Sequence, residues 1–222
     1  MAEQYARVLF CHPLFCHCCY KPWAGADSAN NKMSPNKKHN EEADKSIRDQ
    51  YADQGVENFY LEHGHDYVNP HLPQIKQLLL QNQHRIDYSS ALDFCCGGGE
   101  VTTVLQGLGF PNTVGCDPFT SEAFEKNTLK QALPFNFSDV IQGKLAGDFS
   151  SVICSFAMHL CPQDQLFLLC FYLFETAPQI VIITPHKRPV LEDLDGVELE
   201  FEDFALTKRG KKVRLKAYRK AI

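Results

Sequence analysis

The stretch Ala91-Leu92-Asp93-Phe94-Cys95-Cys96-Gly97-Gly98-Gly99-Glu100 constrains this chain more than any other. Three consecutive glycines follow a short apolar run. They precede Val101, Val104, Leu105 and Leu108, which recur at helical spacing, and Gly109 is placed as a helix stop. The order is therefore strand, bare-backbone turn, helix. Without a Cβ, Gly97, Gly98 and Gly99 allow backbone to approach a ligand closely. The helix that follows presents unpaired N–H donors at its start, and such a turn suits a nucleotide-bearing ligand. Packing alone would also use glycines there.

Residues 91 to 222 continue the alternation. Thr113 to Cys116 reads as a second strand ending at Asp117, and Ser121 to Leu133 predicts a helix. Val140 and Ile141 are the candidate third strand, and Ser151 to Ser155 the fourth. Pro162, with Gln163 and Asp164, makes a helix entry into the apolar run Leu166 to Phe174. Ile180 to Thr184 is a fifth strand between prolines. Glu198 to Leu206 and Val213 to Tyr218, joined by Lys208-Arg209-Gly210-Lys211, predict an antiparallel hairpin. The pattern is that of an α/β domain with a mostly parallel sheet. Residues 46 to 90 read as a helical segment placed where a lid would lie, and residues 1 to 45 as a flexible, cysteine-containing tail.

Asp117 stands 24 residues after Asp93, at the end of the second strand. An acid there can accept hydrogen bonds from both hydroxyls of a ribose. Phe119 follows closely and can pack on a flat base. On these residues the chain resembles the class I S-adenosylmethionine (SAM) dependent methyltransferases. Asp93, Gly97 and Gly99 match the family's first motif, with Cys95 where its first glycine usually stands. That exchange is tolerable with negative φ at Cys95. Asp117 matches the ribose acid. Ser155-Phe156-Ala157-Met158-His159 matches a segment after the fourth strand, and the terminal hairpin matches the antiparallel sixth and seventh strands.

The resemblance implies a Rossmann-like, seven-stranded, mostly parallel sheet with helices on both faces. It implies SAM as cofactor, held by Asp93, Cys95, Gly97, Gly99, Asp117, Pro118, Phe119 and Ser155. The family often carries an acid after the third strand. Gln142-Gly143-Lys144 holds that place on the strand assignment above and has none.

Acceptor-side candidates come from three places. Residues 60 to 71 hold three histidines and two tyrosines, of which Tyr60 is the candidate substrate contact and Tyr67 and His71 the candidate catalytic groups. The same stretch also fits a solvated connector. His159 is a third catalytic candidate or a core histidine. His186 follows the fifth strand and is expected to bind substrate, although an ordinary basic loop reads similarly. No Asp/Asn-Pro-Pro-aromatic motif follows the fourth strand. His63, His65, Asp66 and His71, and likewise Cys11, Cys16, His17, Cys18 and Cys19, lack recognised zinc spacing, so no metal is expected.

The net charge of −5 gives no global attraction to nucleic acid or anionic membrane. The longest apolar run has nine residues, against the roughly 20 that a membrane helix needs. The first ten residues are mixed in polarity, and the ten cysteines fit free thiols in a reducing compartment. A cytoplasmic protein with no membrane partner is expected. Basic residues 208 to 220 follow an acidic stretch, which suits cross-strand ion pairs or an RNA-binding edge. The expected activity is methyl transfer to an oxygen or nitrogen of a small molecule. RNA or protein acceptors, and a non-catalytic scaffold, are the alternatives.

Overall fold

A computed structural model describes residues 55–221. The expected tail over residues 1–45 lies outside the described residues.

The sheet has seven strands: β1 (Ala91–Phe94), β2 (Thr113–Cys116), β3 (Ala132–Leu133), β4 (Ser151–Ser155), β5 (Gln179–Thr184), β6 (Val197–Leu206) and β7 (Lys212–Lys220). Their order is β3-β2-β1-β4-β5-β7-β6. The first five pair in parallel, while β7 runs antiparallel between β5 and β6. Side chains alternate across the central strands. Leu92, Phe94, Val152, Cys154, Ile180 and Ile182 enter one core. Ala91, Ile153, Val181 and Ile183 enter the other. Burial on both faces explains why these strands read as unbroken apolar runs.

Among the described residues the α-helices are α1 (Val56–His63), α2 (Leu72–Gln81), α3 (Glu100–Gly107), α4 (Ser121–Thr128), α5 (Phe137–Ile141) and α6 (Leu166–Thr176). Gly109, at φ 90, ends the turn after α3 as its place in the sequence suggests. The six cysteines among the described residues are free. No helix among the described residues is long and apolar enough to cross a membrane.

Three local expectations are corrected. Val140 and Ile141 are not the third strand; they lie in α5. Asn136 and Asp139 form a reciprocal capping box there, and this satisfies the donors at the start of a short helix. The helix expected to reach Leu133 stops at Thr128, because Leu129 turns left-handed at φ 61. The chain then forms the two-residue β3. After Pro162 the chain makes a turn, with the Gln165 N–H on the Pro162 carbonyl at 3.0 Å, and regular helix begins only at Leu166.

Candidate functional site

The glycine turn lies at the carboxyl end of β1, where open α/β sheets hold their ligands. Its backbone is left-handed at Gly97 (φ 54) and Gly99 (φ 82). Cys95 is left-handed too, at φ 55. The condition of negative φ under which a cysteine would be tolerable there is not met: the chain keeps a conformation suited to glycine while carrying a thiol. That thiol hydrogen-bonds Cys154 on β4, and this contact together with burial pushes its pKa well up.

Asp93 faces away from the turn's open side and is completely buried. Its Oδ2 accepts from the Thr102 N–H at 3.0 Å and the Thr102 hydroxyl at 2.8 Å. It thereby caps α3 from the neighbouring strand, a helix that otherwise starts on a glycine with no side-chain cap. Its Oδ1 has no partner. Burial drives the carboxyl up to about 8, against the pull of the Thr102 bonds.

Asp117 turns back toward the glycines. Its Oδ2 accepts from the Gly97 N–H at 3.3 Å, and its Oδ1 from the N–H groups of Phe119 (2.9 Å) and Thr120 (3.2 Å). Beside this contact opens a cavity of about 330 Å³. Cys95, Gly97, Asp117, Pro118, Phe119 and Ser155 all lie in its wall. Tyr60 and Tyr67 close another side. Tyr60 stacks on Phe119 with centroids 6.4 Å apart and 16° between planes, and lies 5.6 Å from Tyr67.

The segment before the sheet is seated on the turn itself. A Cβ on Gly97 would come within 2.7 Å of the Tyr67 ring, and one on Gly98 within 2.8 Å of the Tyr67 carbonyl. The Asn69 N–H donates to Glu100 Oε1 at 2.7 Å, across 31 residues of sequence. Asn127 holds the far side of the turn, donating to the Gly98 carbonyl at 2.8 Å.

The histidines gather differently. His71 does not line the cavity; it stacks on Phe156, which does, at 4.8 Å and 8°. Phe156 is held left-handed, at φ 61. His159 and His186 face each other with centroids 4.2 Å apart, near but outside the cavity wall. Burial, then the neighbouring His186, lowers His159 to about 4, so its imidazole is neutral at pH 7. Asp93 and Gly99 also stand behind the wall rather than in it.

Several contributors escaped sequence reasoning, among them Cys96, Leu160, Pro162 and Gln165. Glu100, only 8% exposed, stands in the cavity wall. Asn69 lies beside it. Phe135 to Ser138, which follow the true β3, form a further side. The acid sought at Gln142-Gly143-Lys144 was sought in the wrong place. The capping pair Asn136/Asp139 was the legible signal for moving the helix, and with it the strand, toward the N-terminus.

On the surface, the basic strand is largely neutralised. Arg214 pairs with Glu202 at 3.2 Å, Lys216 with Glu192 at 2.7 Å, Arg219 with Glu198 at 3.0 Å and Lys220 with Glu175 at 2.9 Å.

No protein-family model matches the chain. The uncharacterized protein C17A5.05c of Schizosaccharomyces pombe is 31% identical over 192 residues, which cover 66% of this chain and 77% of the yeast protein. Solved structures resemble it at lower identity. A SAM-dependent methyltransferase from Anabaena variabilis gives a TM-score of 0.57 at 13% identity, over 80% of this chain and 96% of that one. The N-methyltransferase NodS of Bradyrhizobium japonicum, in complex with S-adenosyl-L-homocysteine, gives 0.56 at 12%, over 72% and 96%. Magnesium protoporphyrin IX methyltransferase of Synechocystis PCC 6803, with bound SAM, gives 0.52 at 17%, over 78% and 95%. The shared fold is that of the class I methyltransferases.

Proposed function

We propose, from the premise that the chain belongs to the family of the fission yeast protein C17A5.05c and has the class I methyltransferase fold, that it transfers a methyl group from SAM to an oxygen or nitrogen of a small molecule. One observation carries the reading. The Gly97 N–H meets the Asp117 carboxylate at 3.3 Å, and both stand in the wall of one cavity.

The residues present fit the cofactor. The bare backbone at Gly97 leaves room that a Cβ would fill. Asp117 suits ribose hydroxyls, and the ring of Phe119 suits adenine. Among the described residues, neither Asp117 nor Glu100 is in a salt bridge, which suits a cationic ligand. SAM supplies a methyl carbon already activated by a sulfonium, so alignment does much of the catalytic work. The rings of Tyr60 and Tyr67, which close another side of the cavity, suit the orienting of the acceptor. An acceptor with a proton to lose needs a base nearby. His159, neutral at pH 7, is the proposed group, and His186, 4.2 Å from it, is the proposed substrate contact. Tyr67 borders the cavity directly, and His71 fixes Phe156 from behind.

A small acceptor is favoured over RNA because four of the basic hairpin's cations are already paired. Calorimetry with SAM and S-adenosylhomocysteine (SAH), followed by incubation with labelled SAM and fractionated cell extract, tests the reading. The expected result is binding of both and label in the small-molecule fraction. Absence of binding to either ligand defeats it and favours a scaffold; label in RNA or protein defeats the acceptor assignment.

A further inference from the structure

Most cations of β7 are held by the protein itself. Arg214, Lys216, Arg219 and Lys220 each pair with an acid, and Lys212 lies over the Phe204 ring at 4.1 Å. Lys187 and Arg188 after β5, and Lys208, Arg209 and Lys211 at the hairpin tip, differ. All are exposed, and none forms a salt bridge among the described residues. Strand register brings the two groups together. Thr184, the last residue of β5, pairs with Arg214, so Val213 and Lys212 run on past the end of β5 into the tip. The tip and the loop after β5 therefore leave the sheet side by side, at the carboxyl end of its parallel strands, the end that holds ligands in such sheets. Two contacts tie this corner to the cavity. His186, next to Lys187, faces His159, and the following Leu160 stands in the cavity wall. Gln74 donates to the Leu206 carbonyl beside the tip at 3.3 Å, while His71, at the start of the same helix, stacks on Phe156 of the wall. The first turn of that helix carries no acid.

We propose that the acceptor is a small molecule bearing a phosphate group, and that Lys187 and Arg188 hold this group, with Lys208, Arg209 and Lys211 adding to the positive field around it. The inference rests on the methyl-transfer reading above and names the class of its acceptor. A chain of net charge −5 does not attract anions as a whole, so a corner of cations without opposing acids marks where one is received. A phosphate monoester carries a charge of about −1.5 to −2 and three acceptor oxygens. That suits a guanidinium fork beside an ammonium, whereas a carboxylate, with one charge, needs fewer cations. An RNA strand needs cations along its track. Here the cations along β7 are paired, and the unpaired ones form a single corner.

The test has two arms. In the first, NMR titration compares inorganic phosphate, acetate and a short oligoribonucleotide on the wild-type protein and on Lys187→Ala/Arg188→Ala, both exposed positions. The expected result is phosphate binding stronger than that of acetate and weakened about tenfold in the variant. SAM affinity should stay the same, because neither residue lines the cavity. Phosphate affinity that the variant leaves unaltered, or acetate bound equally well, overturns the proposal. An oligoribonucleotide held far more tightly than phosphate, with affinity that falls steeply with salt, makes the corner an RNA-binding surface and overturns it too. In the second arm, labelled product formed from SAM and cell extract is passed over an anion exchanger before and after phosphatase treatment. Retention that phosphatase reduces is expected. A product that is not retained, or one retained equally after phosphatase, refutes the phosphate assignment. Wild-type protein that binds no SAM defeats the methyl-transfer reading instead, a failure distinct from any change in phosphate affinity.

Discussion

Alanine at Gly97 and at Gly99 should separate ligand binding from folding, although the two residues are neighbours in one turn. Both are left-handed, at φ 54 and 82, so either alanine costs about 1–2 kcal/mol for placing a Cβ in that region. What the new methyl meets decides the rest. At Gly99 it lies 2.5 Å from Thr128 Cγ2 and 3.0 Å from the Phe124 ring. Both residues lie in α4, buried to 5% and 0% exposure. They cannot retreat without moving that helix. Overpacking adds about 1–3 kcal/mol, giving a loss of roughly 2–5 kcal/mol. For a domain of this size that corresponds to a fall of roughly 5–15 °C in Tm.

At Gly97 the methyl meets the Tyr67 ring, 2.7 Å away. Tyr67 is half-buried and belongs to the short 3-10 and loop segment before α2, so it can swing aside. Stability should then fall by only about 1–2 kcal/mol, whereas the cavity wall is rearranged. SAM affinity should drop about tenfold or more, because one face of the site has moved. Urea denaturation and calorimetry measure the two effects separately. Equal destabilisation by both variants, or unaltered SAM affinity in Gly97→Ala, refutes the reasoning.

Asp93→Asn tests the buried cap. Its carboxyl is raised from 3.8 to about 8, so the native state binds the proton more tightly than the unfolded chain. Its contribution is fully present below about pH 3.8 and is lost as pH rises through about 8. The neutral amide keeps an acceptor for Thr102. Denaturation across that window should find the variant gaining on wild type by a few kcal/mol as pH rises, and a constant gap overturns the account. Glu192→Gln has the opposite sign. Burial raises Glu192, but Lys216 at 2.7 Å and the Tyr218 hydroxyl at 2.8 Å outweigh it and hold the carboxyl below 4.5. Its contribution is present above about pH 4.5 and fades below. The variant should lose about 1 kcal/mol at neutral pH and converge with wild type in acid, as chemical denaturation at the two pH values would reveal.

Legibility in the sequence followed burial geometry. β1, β4 and β5 are covered on both faces, so each left an apolar run that could be recognised, and the hairpin announced itself by alternation and charge. Ala132–Leu133 is too short to express a period of two. Its neighbour α5 has five residues, too few for a helical stripe. The misplacement mattered for the site as well as the fold, because it moved the search for a cavity-lining side chain from Phe135–Ser138 to a stretch beyond α5. The place of Asp117 in the cavity wall was legible because it follows from its position at a strand end. Glu100 was not, because an acid opening a helix is the ordinary complement to the helix dipole. Its contact with Asn69, 31 residues earlier, is the long-range one that ties it to the wall.

The same contrast explains how this turn carries a cysteine where glycine is expected. Cys95 adopts φ 55, and the strain of roughly 1–2 kcal/mol must be offset by what the side chain gains. The thiol is packed against Cys154 on the adjacent strand, and burial keeps it protonated. It therefore packs as a small, protonated side chain against β4 while also lining the cavity, rather than acting as a nucleophile. Glycine at that position would relieve the backbone but leave a gap beside Cys154. Among the glycines that face something immovable are Gly99 against α4, Gly115 against the fully buried Phe124 ring, and Gly64 against the Phe119 backbone carbonyl. Thus the turn's sequence is set by what packs against each residue as much as by its dihedral angles. Gly97, whose neighbour is a tyrosine that can move, is the position where the proposed ligand, rather than folding, calls for the missing side chain.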